Sequence, residues 1–220
     1  MNIRDAIRER HSVRQYKKEP VSAELRDKLN ALISETNEES GLNIQIIYDE
    51  PRCLDSILAR FSKFRNAENY IAIVGNKSLT DLNERGGYYG EKLVIAAQMM
   101  GLNTCWIGGS FSRKNCGAVI GDEEKLVCII AIGYGLNEGN KHRSKSFARL
   151  CSVPEEEMPV WFKAGMIAAM MAPTALNQQK FFVEMEGEEA VITTDGGGMA
   201  QIDLGIVKYN FEAASGHKCR

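Results

Sequence analysis

Four short stretches carry side chains whose types and spacing suit chemistry. In RHSVRQY (residues 10–16), Arg10, Ser12 and Arg14 alternate. In an extended strand a period of two puts all three on one side. Two guanidinium forks and a hydroxyl there would form an anion receptor, with arginine pairing bidentately to phosphate. The same spacing fits a solvated charged turn after a helix. In APTALNQQ (172–179), Pro173 ends a helix, and Thr174, Asn177 and Gln178 offer neutral donors and acceptors beside Ala175 and Leu176. Such a segment can pack against a flat ring while its amides read the edge, or serve as an ordinary C-terminal helix loop. In TCWIGG (104–109), Gly108 and Gly109 would let a backbone N–H approach a ligand after Trp106 and Ile107, or form a glycine bulge. KHRSK (141–145) adds Lys141, Arg143 and Lys145, a solvated basic loop unless the fold sets it beside Arg10 and Arg14.

Other patterns carry less. Glu91 lies in an apolar helix and reads as an edge-facing residue of its N-terminal turn. Gly196–Gly198 leads into no G-K-[ST] phosphate loop, and G-x-G-x-x-G does not occur, so neither a P-loop nor a Rossmann reading is supported. Six scattered cysteines contain no C-x-x-C, and the three histidines no H-E-x-x-H. Reduced thiols are expected, and no metal site.

The elements that must position these residues follow from hydrophobic period and punctuation. Helices are predicted over 2–11, after Ser22 (an N-cap, with Glu24 in the first turn and Leu25, Leu29, Leu32 and Ile33 as the stripe), over 51–66, over 88–100 with Gly101 beyond its end, and over 112–120. A further helix is striped by Trp161, Phe162, Ala164, Met166 and Met170, and another runs from Asp203 to Ser215 before Gly216. NIQIIY (43–48), YIAIVG (70–75) and KLVCIIAIGYG (125–135) read as strands. FFVEM (181–185) and AVITT (190–194) read as a hairpin.

The 220 residues hold 44% apolar and 25% charged residues, which is globular composition, with a net charge of −2. No basic excess exists to hold nucleic acid or an anionic membrane. The N-terminus is charged from residue 4 and has no apolar core, and the longest apolar stretch is too short for a bilayer, so a soluble, cytoplasmic chain is expected. Pro20 to Asn43 and Pro154 to Asn177 each span 23 positions and each is expected to hold a helix followed by a strand, which suggests a diverged internal duplication.

Taken together the segments resemble the FMN-dependent nitroreductase family, and within it the single-chain TM-nitroreductase type, over nearly the whole chain. Arg10, Ser12, Arg14 and Tyr16 match R-x-S-x-R-x-[FY]. Ala172, Pro173, Thr174, Ala175, Asn177 and Gln178 match A-P-[ST]-A-x-N-x-Q, with Lys180 and Phe181 in place of the usual Pro-Trp. Gly101, Leu102, Thr104, Cys105 and Trp106 match G-L-x-T-C-W. In ordinary members the A-P-S segment lies soon after R-x-S-x-R. Here ISETNEESGLNIQ stands in that region, and the motif comes about 160 residues after Arg14. Ordinary members are intertwined homodimers with the flavin at the interface, one motif from each subunit.

The resemblance therefore implies an α+β fold with a central, mostly antiparallel sheet flanked by helices, and a pseudo-dimer of two fused half-copies. A single domain over 1–220 would contain pseudo-repeat halves at about 1–150 and 151–220, binding one FMN. It implies Arg10 at the FMN phosphate with Arg143 or Lys145, Ser12 at the ribityl or pyrimidine side, and Arg14 at the pyrimidine end. Pro173, Thr174, Ala175, Asn177 and Gln178 would line the ring, and backbone N–H groups around Trp106, Ile107, Gly108 and Gly109 would face it. The implied activity is NAD(P)H-driven, ping-pong reduction of nitroaromatic or quinone-like acceptors, without a side-chain acid or base. The chain would act as a monomer or weak homodimer whose partner is a small-molecule electron acceptor. Other flavin reactions on this fold (dehalogenation, dehydrogenation) and a non-catalytic flavin-binding role are the alternatives.

Overall fold

The computed structural model describes residues 1–55 and 57–220. They divide into two compact units. The first comprises Met1–Glu9, Asn83–Ile95 and His142–Arg220, the second Arg10–Leu82 and Ala96–Lys141.

The second unit is built on a sheet. Strands β1 (Gln45–Ile47), β2 (Tyr70–Asn76), β3 (Asn103–Ile107) and β4 (Glu124–Gly133) lie in the order β1-β2-β4-β3, every pair antiparallel. The two central strands are the continuous apolar runs of the sequence. All of Tyr70–Gly75 and Leu126–Gly133 is buried, as strands covered on both faces require. The β2–β4 register slips between Ile73 and Val74, a bulge that takes up one residue of β4. Before the sheet comes α2 (Ala23–Ser40), capped by the Ser22 side chain accepting from Leu25 N–H at 3.3 Å and closed by Gly41 at φ +67°. The cap is worth about 1 kcal/mol. Beyond α2, the Asn37 amide pairs with both backbone groups of Ile44 and so starts β1.

The first unit is mainly helical. It holds α1 (Ile3–Glu9), residues 83–95 of α4 (Leu82–Met99), α5 (Phe147–Leu150), α6 (Val160–Ala169) and α7 (Met199–Ser215), with the hairpin β5 (Phe182–Glu186) and β6 (Glu189–Thr193). Phe162, Phe211 and Trp161 meet edge to face between α6 and α7, and Gly165 leaves room for the Phe211 ring, whose Cε2 would lie 2.6 Å from an added Cβ. α4 and α7 touch backbone to backbone. A Cβ at Gly87 would strike the Ile202 carbonyl, and one at Gly205 would strike the Glu84 carbonyl and lie 2.6 Å from Tyr88 N.

Several expectations need correction. α4 begins at Leu82, six residues before the predicted start, and Gly87 within the added turns serves this close crossing. Its end is as read: Leu102 N–H bonds Ala97 O and Gly101 N–H bonds Gln98 O around Gly101 at φ +80°. Glu91 is not a first-turn edge residue. It lies in the middle of α4 and is fully buried. The predicted helix 112–120 reduces to a 3-10 turn at Arg113–Asn115, since Cys116 is already extended. α1 stops at Glu9, and α7 starts four residues before Asp203. The predicted helix 51–66 includes Ser56, outside the described residues; α3 occupies Ile57–Phe61. The interval 154–177 holds α6 but then a 3-10 turn at Ala175–Asn177, not a strand, because Leu176 and Asn177 take positive φ. Among the described residues, no helix is long and apolar enough to cross a membrane.

Gly205→Ala forces Cβ into backbone that cannot yield as a side chain would. We expect a loss of about 3 kcal/mol, read as a lowered urea midpoint; an unchanged midpoint contradicts the crossing.

Candidate functional site

In the second unit the R-x-S-x-R segment is extended. Ser12 bridges Thr104 in parallel, Val13 N–H donates to Thr104 O at 3.0 Å, and Tyr16 bridges Gly135. Val13 and Tyr16 turn into the core, where the Tyr16 hydroxyl donates to Val13 O at 2.7 Å and burial pushes its phenol well above the ordinary value. Arg10, Ser12 and Arg14 all act on one neighbour, Cys105 on β3. Burial pushes that thiol up, while the guanidinium groups of Arg14 and Arg10 and the Ser12 hydroxyl pull it partly back. Arg10 is buried, Ser12 half-buried and Arg14 exposed. Cys105, their common neighbour, was read only as a motif residue; its place on a strand running beside the arginine segment was not visible from spacing.

On β3, Ile107 is buried and Trp106 half-buried. Gly108 and Gly109 follow the strand, and a Cβ on Gly109 would meet nothing within 4 Å. The protein's own packing therefore does not demand glycine there, which suits an incoming ligand. Two cationic forks, a hydroxyl and an open backbone fit a phosphate-bearing planar cofactor such as FMN.

In the first unit the A-P-T-A segment forms a strained, tightly held loop. Leu176, Asn177 and Gln179 sit at φ +53°, +55° and +47°, and Leu176 is 91% exposed. The loop is fixed from three directions. Ala175 N–H donates to both carboxylate oxygens of Asp203 on α7, at 2.9 and 3.0 Å. Gln179 N–H donates to Thr174 Oγ1 at 3.0 Å. The side-chain amides of Asn177 and Gln179 both donate to Arg143 O at 2.8 Å, and Lys145 N–H donates to Gln179 Oε1 at 2.9 Å. Lys145 Nζ reaches Gln179 O at 3.0 Å, and Ser144 Oγ donates to Met170 O. The basic 143–145 stretch is thus attached to the A-P-T-A loop. Next to it, a cleft of about 350 Å³ is lined by Lys145, Arg149, Lys180, Phe181 and Thr194 among others.

Gln178 is exposed, whereas Gln179 is 2% exposed and makes these bonds. Counted along A-P-[ST]-A-x-N-x-Q, the final position is indeed Gln179, so the motif match moves by one residue. Asp203 was missed as well. Burial raises its carboxyl from 3.8 to about 6 against the opposing pull of Ala175 N–H. Nothing in the sequence marks it beyond an acid in an apolar helix face.

An antiparallel four-stranded sheet with its helices, an arginine-serine strand and a clamped A-P-T-A loop define a nitroreductase-like α+β protein. A family model described as "Putative TM nitroreductase" matches residues 2–215, and the chain belongs to that family. A solved structure described as a putative nitroreductase from Thermotoga maritima is 22% identical with a TM-score of 0.70, covering 97% of this chain and 83% of that one. A structure described as a putative nitroreductase in complex with FMN from Desulfovibrio desulfuricans is 21% identical with a TM-score of 0.54, covering 71% and 98%. An FMN-dependent nitroreductase from Clostridium difficile is 19% identical with a TM-score of 0.50, covering 66% and 95%. No curated protein matches.

The Asp203 shift has a signed consequence. Unfolded, its carboxyl titrates near 3.8; folded, near 6. Between those values the native state holds the extra proton, so stability falls as pH rises through the window. Asp203→Asn keeps an oxygen for Ala175 N–H and removes this contribution. Urea midpoints measured from about pH 4 to about pH 7 are expected to fall less in the variant than in the wild type; identical profiles contradict the assignment.

Proposed function

We propose that the chain is an FMN-dependent oxidoreductase that takes hydride from NAD(P)H and passes it to nitroaromatic or quinone-like acceptors in two alternating half-reactions. The observation that carries this reading is the Arg10-Ser12-Arg14 segment bridged at Ser12 to Thr104 of β3, where both guanidinium charges and the hydroxyl act on the Cys105 thiol. FMN when bound supplies the hydride-accepting ring; the chain supplies placement and electrostatics. Arg10 would bind the phosphate dianion. Ser12 would donate to the ribityl chain or the pyrimidine. Arg14 would bring positive charge to the pyrimidine end, which favours an electron-rich ring. Backbone N–H groups of Trp106–Gly109 would donate to the ring edge, an approach that the open space at Gly109 allows.

Pro173, Thr174, Ala175, Asn177 and Gln178 would line the ring, held in place by the Asp203 clamp. Solvent would deliver protons, so no side chain is assigned as a general acid or base. Donor and acceptor would be small molecules using one face in turn, with one FMN per chain, in a cytoplasmic monomer or weak homodimer. The solved neighbours that are in complex with FMN or described as FMN-dependent support the choice of cofactor.

Purified protein is expected to show a flavin absorbance band, about one FMN released per chain, and bleaching by NAD(P)H that a quinone or nitrofuran reverses. Arg14→Ala removes one charge-assisted contact of about 1.5–3 kcal/mol and is expected to weaken FMN binding by roughly ten- to a hundredfold. Protein that takes up no FMN and oxidises no NAD(P)H in its presence contradicts the reading.

A further inference from the structure

Outside the residues assigned to flavin, two loops of the second unit bring a pair of thiols together. Cys53 follows Glu50, whose Oε2 accepts from Cys53 N–H at 2.9 Å. Cys116 follows the 3-10 turn Arg113–Asn115. Ser112 N–H donates to Cys53 O at 2.8 Å and ties one loop to the other. Cys116 packs against the buried cluster that holds Cys53. Tyr70 closes the group: its hydroxyl accepts from Gly117 N–H, next to Cys116, at 2.8 Å and donates to Glu50 Oε2, the oxygen that holds Cys53 N–H, at 3.3 Å. Cys53 is fully buried among Tyr70, Leu54 and Phe111, whereas Cys116 packs on that cluster half-exposed. One sulfur is therefore open to solvent and the other sits behind it.

The donors aimed at Cys116 have a consequence for reactivity. The neighbouring Cys53 thiol lowers the Cys116 thiol, with help from the Ala118 N–H and the Tyr70 hydroxyl, against burial and the Glu50 charge. The same contact pushes Cys53 up. Burial pushes up Cys105, Cys151 and Cys219. The thiolate is the nucleophile, so the lowered thiol that also reaches solvent is the reactive one of the pair.

We propose that Cys116 and Cys53 form a hydroperoxide-sensitive dithiol, with Cys116 as the reacting sulfur and Cys53 as the resolving one. The Cys116 thiolate attacks the near oxygen of a hydroperoxide, the O–O bond breaks, and hydroxide or an alkoxide leaves. Cys116 becomes a sulfenic acid and the peroxide is reduced by two electrons. The Cys53 thiol then attacks the sulfenic sulfur. An S–S bond forms, the S–O bond breaks, and water leaves with the Cys53 proton. A dithiol reductant returns both sulfurs to thiols in the reverse two-electron step. The link would fasten the 50–54 loop covalently to the 112–118 loop.

The test uses the reduced full-length protein treated with hydrogen peroxide at neutral pH. Intact mass is expected to fall by two hydrogens, and peptide mapping to find Cys53 joined to Cys116. Without oxidant, iodoacetamide is expected to label Cys116 at least about tenfold faster than half-buried Cys219, a wild-type measurement that needs no variant. In Cys53→Ala, a sulfenic acid trapped by dimedone is expected at Cys116. Equal labelling of Cys116 and Cys219, a disulfide between any other pair, or no trapped sulfenate in the variant overturns the proposal. None of these readouts depends on flavin or NAD(P)H.

Discussion

In the first unit everything near the A-P-T-A loop depends on how closely α4 and α7 approach. Gly87 lies against the Ile202 carbonyl and Gly205 against the Glu84 carbonyl, so each helix uses an absent side chain to admit the other's backbone. That contact fixes the depth of the first turns of α7. Asp203 lies between the two points and receives the Ala175 N–H. From Ala175 the constraint passes through Thr174, Asn177 and Gln179 to the backbone at Arg143 and Lys145. Outside the crossing, Glu84 pairs with Lys208 and Tyr88 donates to Glu212 at 2.6 Å, which holds the same two helices at their solvent side.

The loop so held is not a relaxed one. Three non-glycine residues in the left-handed region cost about 1–3 kcal/mol each. They persist because hydrogen bonds over-determine them: the Ala175 N–H shared between both oxygens of a buried carboxylate, and several bonds that involve amide groups. A bond to a charged acceptor contributes about 1.5–3 kcal/mol and a neutral one about 0.5–1.5 kcal/mol, so the two sets are of similar size. The outcome is an immobile loop that presents Leu176 to solvent. A fixed apolar projection beside neutral amides is the arrangement a flat ring needs on one face, and it is already formed before any ligand arrives.

Where local physics decides structure, the sequence was readable. Ser22 caps α2, Gly41, Gly101 and Gly216 end helices, and the apolar runs at 70–75 and 125–133 are the central strands. Ser12 bridges Thr104 of β3 in parallel, which is local pairing that an alternating segment permits. The failures share a different cause, since each depends on a distant partner. Gly87 has no readable role until α7 is known to press on it. Glu91 looks like an edge residue until α4 is known to be enclosed. Gln178 and Gln179 are indistinguishable by type, and only the loop's reversal of φ buries one and exposes the other. Cys53 and Cys116, 63 positions apart, have no spacing that announces a pair. Pro20–Asn43 and Pro154–Asn177 match in length, yet neither interval holds the expected strand: β1 starts at Gln45 and β5 at Phe182.

In the proposed function the arginine-serine segment and the clamped A-P-T-A loop would each serve FMN. Amide hydrogen exchange on flavin-free protein titrated with FMN tests this. Exchange is expected to slow at residues 10–16 and at residues 172–179, both with the same dependence on FMN concentration. FMN binding that protects only one of these segments, or neither, contradicts it.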